Sequence, residues 1–316
     1  MLPFIEKHRP QTLEDVVGNE PIVDRLKYFS VNGGLPNILM ASPPGQGKTT
    51  IAHCLGRAML KNQFKEAFLE LNASDQRNVS DVRDRVRGFA ERQVTLPAAF
   101  QKLVFLDECD AMTAQAQLAL RRIIEDFSHT TRFILACNDI SKISESLQSR
   151  TCVLMLSPVT PLEIKLRILR ISEIENIKIE TAAAEEIAKL ADGDVRNAVN
   201  QLQSAAVLMD NDIKFVDLAQ VLDVLTEDQG VEIINLCQSD VNTAIKQCKE
   251  MSIDGFTGDE ICQMLTRGVL SPKLSVSDLL RSRIMKLVAQ AVARVSAGIN
   301  GFVQIARCCA EISMVK

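Results

Sequence analysis

Tryptophan is absent from this chain and tyrosine occurs once. With so few large aromatic faces, stacking on nucleic-acid bases is not the expected mode of recognition. Histidine is nearly as scarce: His8, His53 and His129 are scattered and support neither a metal centre nor a nucleophilic triad. The nine cysteines include no C-x-x-C, and the adjacent Cys308-Cys309 pair lies in an apolar helical pattern. They read as reduced, buried thiols of an intracellular protein, not as a disulfide framework or a zinc site. No apolar run is long enough to cross a membrane, so no membrane partner is expected. Glu6, Lys7, His8 and Arg9 interrupt the opening too early for a secretory leader. Internal repeats and low-complexity segments are also missing. A net charge of −4 argues against a free-standing nucleic-acid binder, yet leaves room for a local basic face.

What the chain does have is 316 residues, 47% of them hydrophobic and 24% charged, enough for two or three domains with cores of their own. The most informative stretch runs from Leu39 to Thr50. An apolar run leads into the tight turn Ser42-Pro43-Pro44-Gly45-Gln46-Gly47, and Lys48-Thr49-Thr50 opens a helical pattern. Gly45 and Gly47 let backbone N–H groups close around phosphates, and the helix points its positive dipole end at them. Lys48 is placed to reach the β- and γ-phosphates of a nucleoside triphosphate, and the Thr49 hydroxyl to ligate Mg²⁺. Ser42 stands where the pattern G-x-x-x-x-G-K-[ST] has its first glycine. A second run, Lys102 to Leu106, ends in the acids Asp107 and Glu108. In phosphoryl transfer such a pair divides its work, Asp107 on the magnesium shell and Glu108 on the attacking water.

Five short apolar runs read as strands: Ile38–Ala41, Phe68–Leu71, Leu103–Leu106, Phe133–Cys137 and Cys152–Leu156. Helical patterns separate them, as in a parallel α/β sheet. Pro158 and Pro161 mark a boundary, and helical patterns follow at Thr181–Ala191 and Val195–Leu208. Beyond Asp223 only amphipathic helices are expected, broken at Gly255–Gly258 and Ser271-Pro272. The predicted organisation is an α/β nucleotide-binding domain over 1–157, a helical lid over 158–222 and an all-helical domain over 223–316. One segment is rich in arginine: Arg77, Arg83, Arg85, Arg87 and Arg92, against Asp81, Asp84 and Glu91. Arg83 and Arg87 are four apart and share a helix face, with Ser74-Asp75 as a cap near its start. Such a face can hold duplex phosphates without reading bases.

These residues together resemble the small subunits of replication factor C. The opening Pro3-Phe4-Ile5-Glu6-Lys7-His8-Arg9-Pro10 and Asp15-Val16-Val17-Gly18-Asn19 carry the likeness. So do Leu71-Asn72-Ala73-Ser74-Asp75, Asp107-Glu108-Cys109-Asp110 and Ala119-Leu120-Arg121-Arg122. Phe133 to Asn138, Gln148-Ser149-Arg150 and Gly193-Asp194-Val195-Arg196 continue it in family order. The likeness is dense over residues 3–204. It implies an AAA+ P-loop ATPase with a parallel sheet, a helical lid and a helical collar that serves oligomerisation. It further implies ATP and Mg²⁺ as cofactors, four sibling subunits, the PCNA sliding clamp and primer–template DNA as partners, and the nucleus as location.

The resemblance also assigns residues. Asn138, ending the fourth strand beside the second, is similar to the family's sensor one, and Arg196 at a helix start to its sensor two. Arg150 resembles the arginine finger that acts in trans on a neighbour's phosphates, with Thr151 in place of the family's cysteine. Ile5 and Val17 match positions lining the adenine. Asn72, ending the second strand, matches a residue that restrains Glu108 until DNA binds. Gln115 and Leu118 depart from the family's usual Gly and Gln, whereas Gln117 keeps the pattern. Two other readings stay open: a non-hydrolysing scaffold subunit, and a different AAA+ DNA motor such as a branch-migration helicase, which calls for a C-terminal winged helix.

Overall fold

The computed structural model describes residues 2–73, 79–97, 99–215, 218 and 225–315, with only the backbone described for 79–83. It separates into two compact units, Met1–Leu218 and Ala219–Lys316.

Unit 1 begins with α1 (Phe4–Lys7) and α2 (Glu20–Asn32) and then alternates strands and helices. In order these are β1 (Ile38–Ala41), α3 (Lys48–Leu60), α4 (Phe64–Ala67), β2 (Phe68–Asn72), α5 (Val79–Glu91), β3 (Lys102–Asp107), α6 (Ala114–Asp126), β4 (Thr131–Cys137), α7 (Glu145–Gln148) and β5 (Cys152–Met155). The five strands form one parallel sheet in the order β2-β3-β4-β1-β5. Parallel strands need helical crossovers, so helices cover both faces and the strand sequences alternate between two apolar environments. Ile38, Met40, Leu103, Phe105, Ile134 and Ala136 face one core with side chains from α2 and α3. Leu39, Ala41, Val104, Leu106, Phe133 and Leu135 face the other, with Val86 and Phe89 of α5 and Leu120, Ile123 and Ile124 of α6.

This order corrects one expectation. β4 lies between β3 and β1, so Asn138 follows a strand that does not neighbour β2, which is an edge strand beside β3. Chain order alone cannot reveal such a crossover, because all five strands read simply as short apolar runs. The strand ends also extend beyond the expected ranges at Asn72, at Lys102 and Asp107, and at Thr131, while β5 stops at Met155.

The rest of unit 1 is helical, with α8 (Pro161–Glu175), α9 (Thr181–Leu190) and α10 (Val195–Leu208). Thr160 and Glu163 form a reciprocal capping box that starts α8. Two very short strands, β6 (Lys178–Ile179) and β7 (Asp212–Ile213), pair in parallel within this otherwise helical region. Two residues are too few to show a period, and they were not foreseen.

Unit 2 consists, among its described residues, of α11 (Glu227–Ser239), α12 (Val241–Ile253), α13 (Gly258–Leu270), α14 (Asp278–Ser296) and α15 (Gly301–Ser313). Their apolar faces close on one core that includes Ile234, Ile261, Leu265, Ile284, Val288 and Ile305. The expected boundary at Asp223 falls outside the described residues. No described helix of either unit is long and apolar enough to cross a membrane. Eight of the nine cysteines are buried as expected; Cys152, on the edge strand β5, is exposed.

Candidate functional site

The turn after β1 folds as its glycines require. Gly45 and Gly47 take left-handed conformations, φ 77° and 85°, which other residues adopt only under strain. Gly47 is the N-cap of α3 and offers no side chain to the helix end, so the first N–H groups remain available to an anion. Gly45 is also constrained from outside, since a Cβ there would come within 2.0 Å of the Asp194 carboxyl. Asp194 caps α10, accepting from the Asn197 N–H at 3.0 Å. The lid helices therefore bear directly on the phosphate loop. Gln46 strengthens the seam, its side-chain oxygen accepting from the Val159 N–H at 3.1 Å.

Lys48 is nearly buried, 7% exposed. Its ammonium donates to Ser42 O at 2.6 Å, Pro43 O at 3.0 Å and Asn138 Oδ1 at 2.9 Å. Burial pushes its pKa below the ordinary lysine value, with Asp107 opposing the change. One turn of loop and helix thus joins the lysine to the expected sensor Asn138, across two neighbouring strands. The Thr49 hydroxyl donates to Asp107 Oδ2 at 2.6 Å, and the other carboxylate oxygen of Asp107 accepts the Glu108 N–H at 2.9 Å. Glu108 has a left-handed backbone, φ 55°, which turns its side chain off the strand line. Asn72 pairs in register with Asp107, one residue before Glu108.

Most of these groups line one cavity of about 510 Å³, although Asn72 and Asp194 are not on its wall. Of the residues expected at the nucleotide, Ile5, Val17, Pro44, Gly45, Gln46, Gly47, Lys48, Thr49, Thr50, Asp107, Glu108, Asn138 and Arg196 lie on its wall. Ser42 and Pro43 do not: Ser42 is buried beneath the loop, where its carbonyl and hydroxyl hold Lys48. Arg150 is also away from the cavity; its guanidinium is exposed and bonded to Glu125. Arg77 lies outside the described residues, as do the proposed cap Ser74-Asp75 and the side chain of Arg83. Arg87 is exposed on α5 and paired with Glu91 at 2.9 Å.

The oxygen set at Thr49 and Asp107 suits Mg²⁺, which is commonly held by one or two protein oxygens together with substrate phosphates. No cluster of three or more acidic, histidine or cysteine ligands occurs among the described residues.

Several wall residues were not foreseen. Arg167 of α8 lines the cavity and donates to the His8 carbonyl. His8 Nε2 lies 2.5 Å from Glu175, which Lys7 also reaches at 2.7 Å. The Phe4 N–H donates to Gln203 of α10 at 2.8 Å. The opening segment is thereby strapped to the lid helices α8 and α10. Only the folded chain brings residues some 160 positions apart together, so no local pattern announces them.

Comparison with known proteins agrees with this geometry. Residues 38–159 match the family described as ATPase family associated with various cellular activities (AAA). Residues 226–311 match the replication factor C C-terminal domain. The probable replication factor C subunit 2 of Dictyostelium discoideum is 37% identical over 321 aligned positions, covering 100% of this chain and 93% of its own. Replication factor C subunit 4 of Schizosaccharomyces pombe is 37% identical, over 96% of this chain and 89% of its own. The replication factor C small subunit of Staphylothermus marinus is also 37% identical, over 96% and 92%. Among solved structures, the RuvB Holliday junction branch migration motor of Thermotoga maritima superposes with a TM-score of 0.58 at 22% identity. That match covers 76% of this chain and 85% of its own, and is a likeness of fold.

Proposed function

This chain belongs to the replication factor C small-subunit family of AAA+ ATPases, and we propose that it is an ATP-hydrolysing subunit of a clamp loader. In this reading it assembles with four related subunits in the nucleus, and ATP binding creates the state that opens the PCNA ring and grips primer–template DNA. Hydrolysis then releases the closed clamp. The Val94-Thr95-Leu96-Pro97 segment and the Arg9-Pro10-Gln11 opening resemble most the subunit called two in animals.

One observation carries the hydrolytic part: Lys48, Thr49, Asp107, Glu108 and Asn138 meet at a single cavity, with Lys48 bonded to Asn138 and Thr49 to Asp107. ATP is the substrate. Lys48 and the loop N–H groups hold its phosphate charge, and Ile5 and Val17 offer an apolar wall to the purine. Thr49 and Asp107 would hold Mg²⁺, which would supply charge neutralisation at the phosphates. Glu108 orients the attacking water and accepts its proton, and Asn138 and Arg196 sense the γ-phosphate. Arg196 is exposed on the wall and has no acidic partner among the described residues, which leaves it available for that contact. Arg150 supplies positive charge to a neighbour's site, and Asn72 restrains Glu108 until DNA arrives.

Ser42, which stands in place of the first glycine of the loop pattern, is the residue that favours a non-hydrolysing scaffold. Its side chain lies under the loop against Lys48, off the cavity wall, which supports the hydrolysing reading. The motor alternative called for a winged helix, whereas the described part of unit 2 is entirely helical.

Two variants test the assignment. Lys48→Ala should weaken ATP binding on the order of 100-fold, while Glu108→Gln should keep binding and lose turnover, because one removes ground-state charge and the other acts on water. Nucleotide affinity and single-turnover hydrolysis in the assembled complex provide the check. Wild-type turnover in Glu108→Gln would refute the role given to Glu108.

A further inference from the structure

Lys102 opens β3 as a buried cation, 5% exposed, with no acidic partner among the described residues. Its ammonium donates to three main-chain carbonyls at the end of α5: Phe89 O at 3.1 Å, Ala90 O at 2.5 Å and Arg92 O at 2.6 Å. It also lies 5.6 Å from the centre of the Phe89 ring. The last carbonyls of a helix lack partners within the helix and carry its partial negative charge. Three of them match the three donors of one ammonium. Burial lowers the lysine's pKa, so holding a charge here is unfavourable by itself. An apolar side chain of the same length would fill the space without that cost. What it could not do is bind the end of α5 to β3.

We propose that Lys102 is a positioning residue that fixes the arginine-bearing helix α5 to the strand whose far end carries Asp107 and Glu108. The proposal rests on the reading of α5 as a DNA-facing helix. The attachment has three levels. Lys102 holds the C-terminal end of α5, and Val86 and Phe89 pack with Val104 and Leu106 of β3 along its middle. At the other end, β2, the strand preceding α5, pairs Asn72 with Asp107, and the Ala73 N–H donates to Asp107 O at 2.9 Å. A helix held in this way moves with β3 instead of sliding over it. Phosphate contact on the exposed face of α5 then shifts the acid pair as well.

The test measures ATP turnover by the assembled complex with and without primed DNA, for wild type, Lys102→Met, Lys102→Arg and Arg87→Ala. Lys102→Met should cut stimulation by DNA roughly five- to tenfold, the scale of a partly buried charge at a helix end, while DNA-free turnover stays within about twofold. Lys102→Arg, which keeps charge and donors, should retain most of the stimulation. Amide hydrogen exchange on the full chain gives a second readout: protection over residues 85–91 should fall in Lys102→Met while that of unit 2 is unchanged. Wild-type stimulation in Lys102→Met, or equal loss of DNA-free and DNA-stimulated turnover, overturns the proposal. Should Lys102→Met fail to join the complex, Lys102→Gln carries the same outcomes, having two donors and no charge. Arg87→Ala separates the two readings. Unchanged DNA affinity and salt dependence there would remove the DNA role of α5, whereas weakened binding there with a normal Lys102→Met would remove only the role of Lys102.

Discussion

At Glu125 one carboxylate oxygen serves two arginines, Arg121 at 3.2 Å and Arg150. The Arg121 bond, followed by those of Arg150, holds the Glu125 carboxyl below its usual pKa. All three side chains are solvent-accessible, and exposed ion pairs contribute little to stability. In the proposed trans role, Arg150 would exchange this weak bond for a stronger phosphate contact. The same weakness predicts what Arg150→Ala does. Nucleotide affinity at its own site should remain within about twofold, whereas hydrolysis at the adjoining subunit should fall on the order of a thousandfold, the scale of a missing arginine finger. Complexes with a single mutated subunit, each site read separately, decide the matter. A defect confined to the mutated subunit's own site would count against action in trans.

Among the elements, two helices of unit 2 come into close contact where they have no side chains. Gly230 of α11 and Gly268 of α13 meet backbone to backbone: a Cβ on Gly268 would lie 2.6 Å from Gly230 C, and one on Gly230 2.5 Å from Met264 O. Neither obstacle is a flexible side-chain end, so the helices themselves must separate. Gly268→Ala should therefore destabilise unit 2 by about 1–3 kcal/mol, the usual scale of overpacking. Gly88 of α5 is the control, since a Cβ there meets nothing within 4 Å and its backbone is helical. Gly88→Ala should raise helix stability by up to about 1 kcal/mol. Denaturant melts of the two variants distinguish the cases, and a neutral Gly268→Ala would mean that the α11–α13 crossing is not rigid.

At the scale of the whole molecule, the two units each own a core. Unit 2 buries residues from all five of its described helices in one cluster, enough for independent folding of a domain of this size. The fragment 219–316 should accordingly melt cooperatively by circular dichroism and co-purify with sibling subunits. The fragment 1–218, which contains the whole cavity wall, should bind ATP but fail to enter the complex. Gradual, non-cooperative melting of the 219–316 fragment would show that its core depends on unit 1.

Much of this protein was legible without coordinates because it is written locally. The apolar runs mark the five strands to within a few residues, most plainly for β1, β3 and β4, which are buried on both faces and so must be apolar along their length. The phosphate loop is legible for a similar reason: glycine adopts the positive-φ conformations at Gly45 and Gly47 without strain, and lysine and threonine follow directly. Tertiary structure decided what depends on partners far along the chain. It set β4 between β1 and β3, brought Asp194 onto Gly45 and strapped His8 to the lid. It also turned Lys102, unremarked at the head of an apolar run, into the cap of α5. Periodicity records how deeply a residue is buried, not which distant segment buries it. Strand order, helix caps made by remote side chains and walls built from separate segments follow from packing the whole chain at once.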